Sequence, residues 1–566
     1  MALARVVTIA TICLLNGPEY ENRDYVLTQL AQCPPEAQLI VLPHMPFLSF
    51  ETATAEIDLK AFAGFAGKRG AYLALSMTEK DGADIYFTAV LLAPSGEIVG
   101  RYRKAHALMD DNISIGDELP VFDTAFGPIG LTIGSDFYFP EVYEVLRMEG
   151  ADIITWHHYP EGLRDHSGWD PLLTARCADS HVHIVAAMYA DEHTYLTHNY
   201  AARRQGAALG RSMILNRVGT PVADTGYEDG IAMATVNLDK RKKNFAGPHL
   251  RTENVFLVIN HGDRKALAPI AEPYRPPELP TYHKRKCRLA VGHFDRSQIW
   301  RDGKVPETML RIIDMAAEVK PDLLLLSEQS CHAADETTKR VMATVGEKAA
   351  AMNCYIAIGG IGNYGHNSVC HAWDRTGKLV YGQPLYWSRG FEKFEVFDAD
   401  FGRVASHTCG DLYTQLFDRV LALKGAEIIL DPSQMSGPDG RYNETMLRAR
   451  AVDNAAWVAC AHWTTSDPSL RSVIVDPYGQ VVAASGFNRE HVIYYDINLD
   501  EKRVYYSGLL QEQAEHAEEG MGVYAFGTMP EQQTGWREVL FAARRPELYG
   551  IIPTVNEVIL RYRPEE

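Results

Sequence analysis

Cys409 closes an apolar, strand-like run, Val404-Ala-Ser-His-Thr-Cys409, and is followed by Gly410 and Asp411. A thiol at a strand end can meet a substrate while neighbouring backbone N–H groups point at a developing oxyanion. Such a thiol needs a base, because a free cysteine has a pKa of about 8.5 and is mostly protonated at neutral pH. Glu328 is the candidate base: it ends a second apolar run, Leu323-Leu-Leu-Leu-Ser. A carboxylate at the end of a buried strand is costly unless it has partners or a task, although leucine runs ending in glutamate also occur without chemistry. An earlier stretch, Ile129-Gly-Leu-Thr-Ile-Gly134-Ser-Asp136, repeats the first run with glycine in place of the thiol. One catalytic-looking turn is therefore written twice, and its nucleophile is kept once.

Other landmarks pair in the same order. Val6-Val-Thr-Ile-Ala matches Cys287-Arg-Leu-Ala-Val, and the run ending Leu-Pro43-His44 matches the one ending Leu-Ser327-Glu328. Tyr72-Leu-Ala-Leu-Ser matches Tyr355-Ile-Ala-Ile-Gly, and Val121-Phe-Asp-Thr-Ala-Phe-Gly127 matches Val396-Phe-Asp-Ala-Asp-Phe-Gly402. Leu173-Thr-Ala-Arg-Cys-Ala-Asp matches Leu447-Arg-Ala-Arg-Ala-Val-Asp. The offset stays at roughly 260 to 286 residues, a long-period duplication and not a solenoid of short repeats. Short apolar runs alternate with helical spacing, as over 308–318 and 338–352, which predicts a layered α/β architecture in each half. The Pro-rich stretch 268–280 reads as an extended connector, since proline lacks a backbone donor. The expected organisation is a first domain over 1–265, a linker over 266–284 and a second domain over 285–566. Arg544-Arg-Pro-Glu-Leu-Tyr549 echoes the segment before that junction, so each half is expected to end in a similar extended tail.

At 566 residues the chain is long enough for two cores, and its 46% hydrophobic and 23% charged residues are ordinary for a globular protein. A net charge of −18 argues against nucleic acid, which demands clustered Lys and Arg. The basic clusters Lys240–Lys243 and His283–Lys286 read as solvated strand edges. Nine scattered cysteines without a C-x-x-C pair suit a reducing compartment. The apolar run from Val6 to Leu15 reads as a buried first strand and not a signal peptide, and no run reaches the roughly 20 apolar residues of a membrane span. The expectation is a cytoplasmic protein with no membrane partner. Cys177-Ala-Asp-Ser-His181-Val-His183 holds zinc-type donors but reads as a helix end running into a strand. His157, His158 and His166 fall where the first half's pocket mouth is expected, to bind a ligand or to face water. Gly359-Gly-Ile-Gly362 lacks the residues of a phosphate loop. No cofactor or metal is expected.

A strand ending in Glu328, the turn His366-Asn-Ser-Val369, Val396-Phe-Asp, a strand ending Cys409-x-Asp411, Leu423-Lys-Gly-Ala-Glu-Ile-Ile429 and Arg448-Ala-Arg-Ala451 together resemble the carbon–nitrogen hydrolase, or nitrilase, superfamily. The resemblance runs through both halves. It implies tandem α-β-β-α sandwiches paired as an intramolecular pseudo-dimer, with further homo-oligomerisation open. It also implies Cys409 as nucleophile, Glu328 as base, a lysine that stabilises the intermediate, and a small amide, nitrile or carbamoyl substrate.

The first half departs from this pattern at His44 and Gly134 and keeps the lysine motif at Lys104, within Gly100-Arg-Tyr-Arg-Lys104-Ala-His106. It is expected to be inactive. The second half keeps Glu328 and Cys409, but a shortened loop puts Lys104's counterpart near Pro384 or Leu385, leaving Arg389 or Lys393 as the substitute cation. Two functions stand on this reading: a thiol-dependent hydrolase with an altered triad, or a pseudoenzyme that binds a small molecule or serves in assembly.

Overall fold

The computed structural model describes residues 5–16, 19–52, 58–108, 113–158, 169–191, 210–239, 264–295, 307–328, 335–360, 369–384, 394–434, 440–464, 470–501, 504–505 and 534–554. These residues form two compact α/β units, neither of which is one continuous stretch of chain. The first comprises Met1–Arg241 with Val504–Ile551, and the second Lys242–Arg503 with Ile552–Glu566.

In the second unit, strands Lys286–His293, Leu323–Leu326 and Tyr355–Ile358 run parallel at the centre of one six-stranded sheet. Arg403–Ser406, Ile428–Pro432 and Trp457–Ala461 do the same in another. Both faces of such strands are covered, so they read as unbroken apolar runs. The period of two sorts their side chains. Leu323 and Leu325 pack with Val404, Ile428, Leu430 and Ala459 between the sheets, while Leu324 and Leu326 meet Met309, Ile312 and Val341 of the helices Glu307–Ala317 and Asp335–Met352. Gln415–Leu423 and Gly440–Asn454 cover the other sheet, completing an α-β-β-α sandwich. The first unit repeats this arrangement. Leu39–Glu51 and Tyr72–Asp81 lie in a seven-stranded sheet, and Ile129–Ile133, Ile153–His157 and His183–Ala187 in a six-stranded one.

The stretch read as a proline-rich connector is partly helical. Arg264–Ala271 forms a 3₁₀ helix containing Pro269 and packs against Gln415–Leu423 of the second unit. The matching tail after Thr534 also forms a helix, Trp536–Ala542, and joins the first unit: Trp536 is fully buried, with its ring 5.2 Å from that of Tyr138. Each unit is thus completed by a tail that follows the other repeat in sequence. Among the described residues, no helix is long and apolar enough to cross a membrane.

Candidate functional site

The turn that carries Cys409 is built the same way in both units. In each, a central strand ends and a one-turn 3₁₀ helix begins, at Cys409–Tyr413 and at Gly134–Tyr138. An aspartate caps the turn by accepting the N–H of the residue before the first helical position. Asp411 Oδ2 takes Thr408 N–H at 3.3 Å, and Asp136 Oδ2 takes Ile133 N–H at 2.9 Å. This is the physical basis of the spacing between thiol and aspartate. A buried arginine from a later helix, Gly440–Asn454 in the second unit and Trp169–Ser180 in the first, holds the turn's far side. Arg450 donates through Nε and Nη2 to Leu412 O, at 3.0 and 2.5 Å, as Arg176 does to Phe137 O at 3.1 and 3.0 Å. The first helical residue has a left-handed backbone in both turns, with φ of 51° at Cys409 and 47° at Gly134.

Glu328, 2% exposed, follows the strand Leu323–Leu326, and its carboxylate is within hydrogen-bonding reach of the Cys409 thiol. Burial, the Glu328 charge and Asp431 push that thiol well above its ordinary range, against a main-chain donor from Gln434. The resting thiol is therefore neutral. Gly359 lets the two strand ends close on each other. A Cβ there would lie 2.5 Å from Pro432 Cβ and 3.0 Å from Glu328 Cα.

The N–H of Cys409 itself does not face a substrate; it donates to Asp431 Oδ1 at 3.0 Å. Asp431 is the penultimate residue of the strand Ile428–Pro432, and His407 and Asp418 lie behind it. His407 Nδ1 bonds Asp418 Oδ1 at 2.7 Å, and its Nε2 lies 3.6 Å from Asp431 Oδ1, an ion-pair distance too long for a hydrogen bond. All three are buried. Sequence reasoning overlooked this trio, although Asp431 carries the same signal as Glu328: a carboxylate at the end of an apolar strand.

The first unit brings different chemistry to the matching place. His44 Nδ1 bonds Ser76 Oγ at 2.8 Å, and Ser76 stands where the second unit has Gly359. Burial, then Lys104 and His157, hold the His44 imidazole neutral, well below its usual range. Lys104 is fully buried, with Nζ 5.7 Å from the Phe87 ring centre. His157 and His158 are buried and not open to water, and His157 Nδ1 bonds Leu42 O. His166, Arg389 and Lys393 lie outside the described residues.

Strand register matches Arg103 to Pro384, the last described residue before the lysine position. Thr88 pairs with Arg103, and Val369 with Pro384, across matching strands with matching irregularities. The residue after Arg103 is Lys104, and the residue after Pro384 is Leu385. Among the described residues, no group of three or more His, Cys, Asp and Glu side chains is arranged to hold a metal ion.

The family model for carbon–nitrogen hydrolases matches residues 22–243 and again 306–506. A deaminated glutathione amidase of Synechocystis is 31% identical over 175 residues, covering 28% of this chain and 60% of that protein. The human deaminated glutathione amidase is 29% identical over 203 residues, covering 32% and 58%. The chain thus spans about three-fifths of the length of these curated relatives. Among solved structures, Saccharomyces cerevisiae Nit3, of the nitrilase superfamily, is similar with a TM-score of 0.36 and 20% identity over 41% of this chain and 90% of its own. An amidase from Nesterenkonia sp. with an acetamide moiety added at its active-site cysteine has a TM-score of 0.35 and 19% identity, covering 43% and 95%.

Proposed function

Because the chain belongs to the carbon–nitrogen hydrolase family, we propose that it hydrolyses a non-peptide carbon–nitrogen bond of a small amide, nitrile or carbamoyl compound through an acyl group on Cys409. The observation that carries this reading is the Cys409 thiol against the buried Glu328 carboxylate, a pair that the first unit replaces by Gly134 and His44. With the thiol protonated at rest, its proton passes to Glu328 as sulfur bonds to the amide carbon. Collapse of the tetrahedral intermediate breaks the C–N bond, and Glu328 returns the proton to the departing amine or ammonia. Water, deprotonated by Glu328, then attacks the thioester, and the thiol and acid are released. The Gly410 N–H is at the second position of the one-turn helix, where N–H groups have no partner within the helix, and it serves as a main-chain oxyanion donor. Arg389 is the proposed cation in place of the family's lysine, with Lys393 the second choice.

Mass spectrometry after incubation with small amides, nitriles and carbamoyl compounds tests the reading. An acyl adduct on Cys409 is expected, together with loss of turnover in Cys409→Ala; turnover that survives this substitution overturns the assignment. Leu385 at the lysine position favours a second reading, a pseudoenzyme that binds a small molecule. Iodoacetamide separates the two: selective labelling of Cys409 supports the hydrolase, and indifference supports the pseudoenzyme.

A further inference from the structure

The trio behind the nucleophile has no counterpart in the other repeat. Thr132, Tyr143 and Trp156 take the places of His407, Asp418 and Asp431, as the matched pairs Ile129–Ile153 and Val404–Ile428 fix the register. These replacements are neutral. Thr132 Oγ1 lies 3.4 Å from Tyr143 Oη and donates to Thr155 O, while Trp156 Nε1 donates to Gly134 O at 2.9 Å. The buried charges accompany the thiol and are missing where glycine replaces it.

Their arrangement has one electrostatic consequence. Asp431 accepts the N–H of Cys409 and also faces the Cys460 thiol, so its charge opposes any negative charge that develops on the nucleophile. His407 is the charged group set against it. The imidazolium faces both carboxylates, Asp418 through Nδ1 at 2.7 Å and Asp431 through Nε2 at 3.6 Å, and offsets their charge. Asp418 faces His407 from the helix Gln415–Leu423 and Asp431 faces it from the strand Ile428–Pro432, while Glu328 and the Gln434 N–H face the Cys409 sulfur from their own segments.

We propose that His407 is a positioning residue: clamped between Asp418 and Asp431, it keeps Asp431 oriented as the acceptor for Cys409 N–H, which holds the left-handed nucleophile turn, and it screens the thiolate from the Asp431 charge. This rests on the reading of Cys409 as nucleophile. Asp418 then works against the thiol by competing for the imidazolium, so altering His407 and altering Asp418 have opposite effects.

The test is the rate of iodoacetamide alkylation of Cys409 in the full chain, followed across pH by peptide mass spectrometry. In His407→Gln the profile is expected to move to higher pH, with alkylation at pH 8 slowed about tenfold, as one unit of upward shift in thiol ionisation requires. In Asp418→Asn, which leaves the imidazolium to Asp431 alone, alkylation is expected to be faster than in the parent. An indirect packing role predicts the same direction for both variants, and that result, or an unchanged His407→Gln profile, overturns the proposal. If His407→Gln fails to fold, Asp418→Asn decides by itself: alkylation equal to or slower than the parent overturns it. The labelling needs no substrate, so its failure is distinct from that of the hydrolase reading, which falls if Cys409→Ala retains turnover.

Discussion

Cys409 and Gly134 share one left-handed backbone conformation, with φ of 51° and 47°, at equivalent positions of the two repeats. For a residue with a Cβ this conformation costs about 1–2 kcal/mol, and glycine adopts it freely. The capped turn imposes it on the thiol, and the first unit has relaxed it by losing the side chain. Cys409→Gly is therefore expected to be more stable than Cys409→Ala by about 1 kcal/mol in denaturant unfolding of the second unit, with neither variant forming an acyl adduct. Equal stability of the two would mean that the turn rearranges once sulfur is gone.

The pH dependence of stability isolates His407. Burial opposes its charge, but Asp418 and Asp431 together raise it to about 10 from an ordinary 6.5. The folded protein then holds a proton that the unfolded chain releases above 6.5. Its contribution is complete below pH 6.5 and is lost as pH rises toward 10, on the order of a few kcal/mol at about 1.4 kcal/mol per unit. His157, which burial lowers to about 4, acts in the opposite sense and costs the first unit stability as pH falls from 6.5 toward 4. Unfolding midpoints of the second unit at pH 6 and pH 9 are expected to differ in the parent and to draw together in His407→Gln. A parent midpoint that does not fall between these pH values would contradict the charged state of this imidazole.

How far the site was legible follows from what each residue does. Glu328 and Cys409 announced themselves because each ends an apolar run, and the pairing of runs across the two halves revealed the duplication without any geometry. Asp431 ends such a run too, but next to Pro432 it reads as a turn residue, and its partners His407 and Asp418 lie just past a strand end and on a helix whose juxtaposition spacing does not reveal. The exchange of tails was hidden for a different reason. Arg264–Ala271 and Trp536–Ala542 are short segments whose stability comes from what they pack against, and local sequence does not identify that surface.

The paired arginines allow a comparison within one molecule. Arg176 and Arg450 make the same two hydrogen bonds to the same turn, but only the second turn carries a thiol. Lysine cannot reproduce a planar fork. Arg450→Lys is expected to slow alkylation of Cys409 several-fold, whereas Arg176→Lys is expected to leave that rate unchanged at temperatures where both units are folded. Removing a buried charged hydrogen bond costs about 1.5–3 kcal/mol, so each substitution is expected to lower the melting temperature of its own unit. Equal effects of both on Cys409 would show that the arginines act through global stability and not through the local turn.

The tail that follows the second repeat is held in the first unit by a buried pair, Arg544 Nε to Glu141 Oε1 at 3.0 Å, with both side chains at most 1% exposed. Beside it, Tyr549 Oη bonds His106 Nε2 at 2.6 Å, and Arg545 donates to Ala105 O and Gly116 O at 2.9 Å. Breaking a buried pair strands a charge, which costs about 3–5 kcal/mol, whereas replacing both partners by apolar groups is often nearly neutral. Arg544→Ala and Glu141→Ala are each expected to destabilise the first unit by that amount, and the double variant Arg544→Leu, Glu141→Leu to recover most of it. Trp536, buried in the same tail, is one of eight tryptophans, so its transition is followed by hydrogen exchange of the tail peptide that contains it. If the single variants leave the Trp536 transition in place, the tail is held by its apolar contacts alone, and the ion pair contributes nothing to docking it.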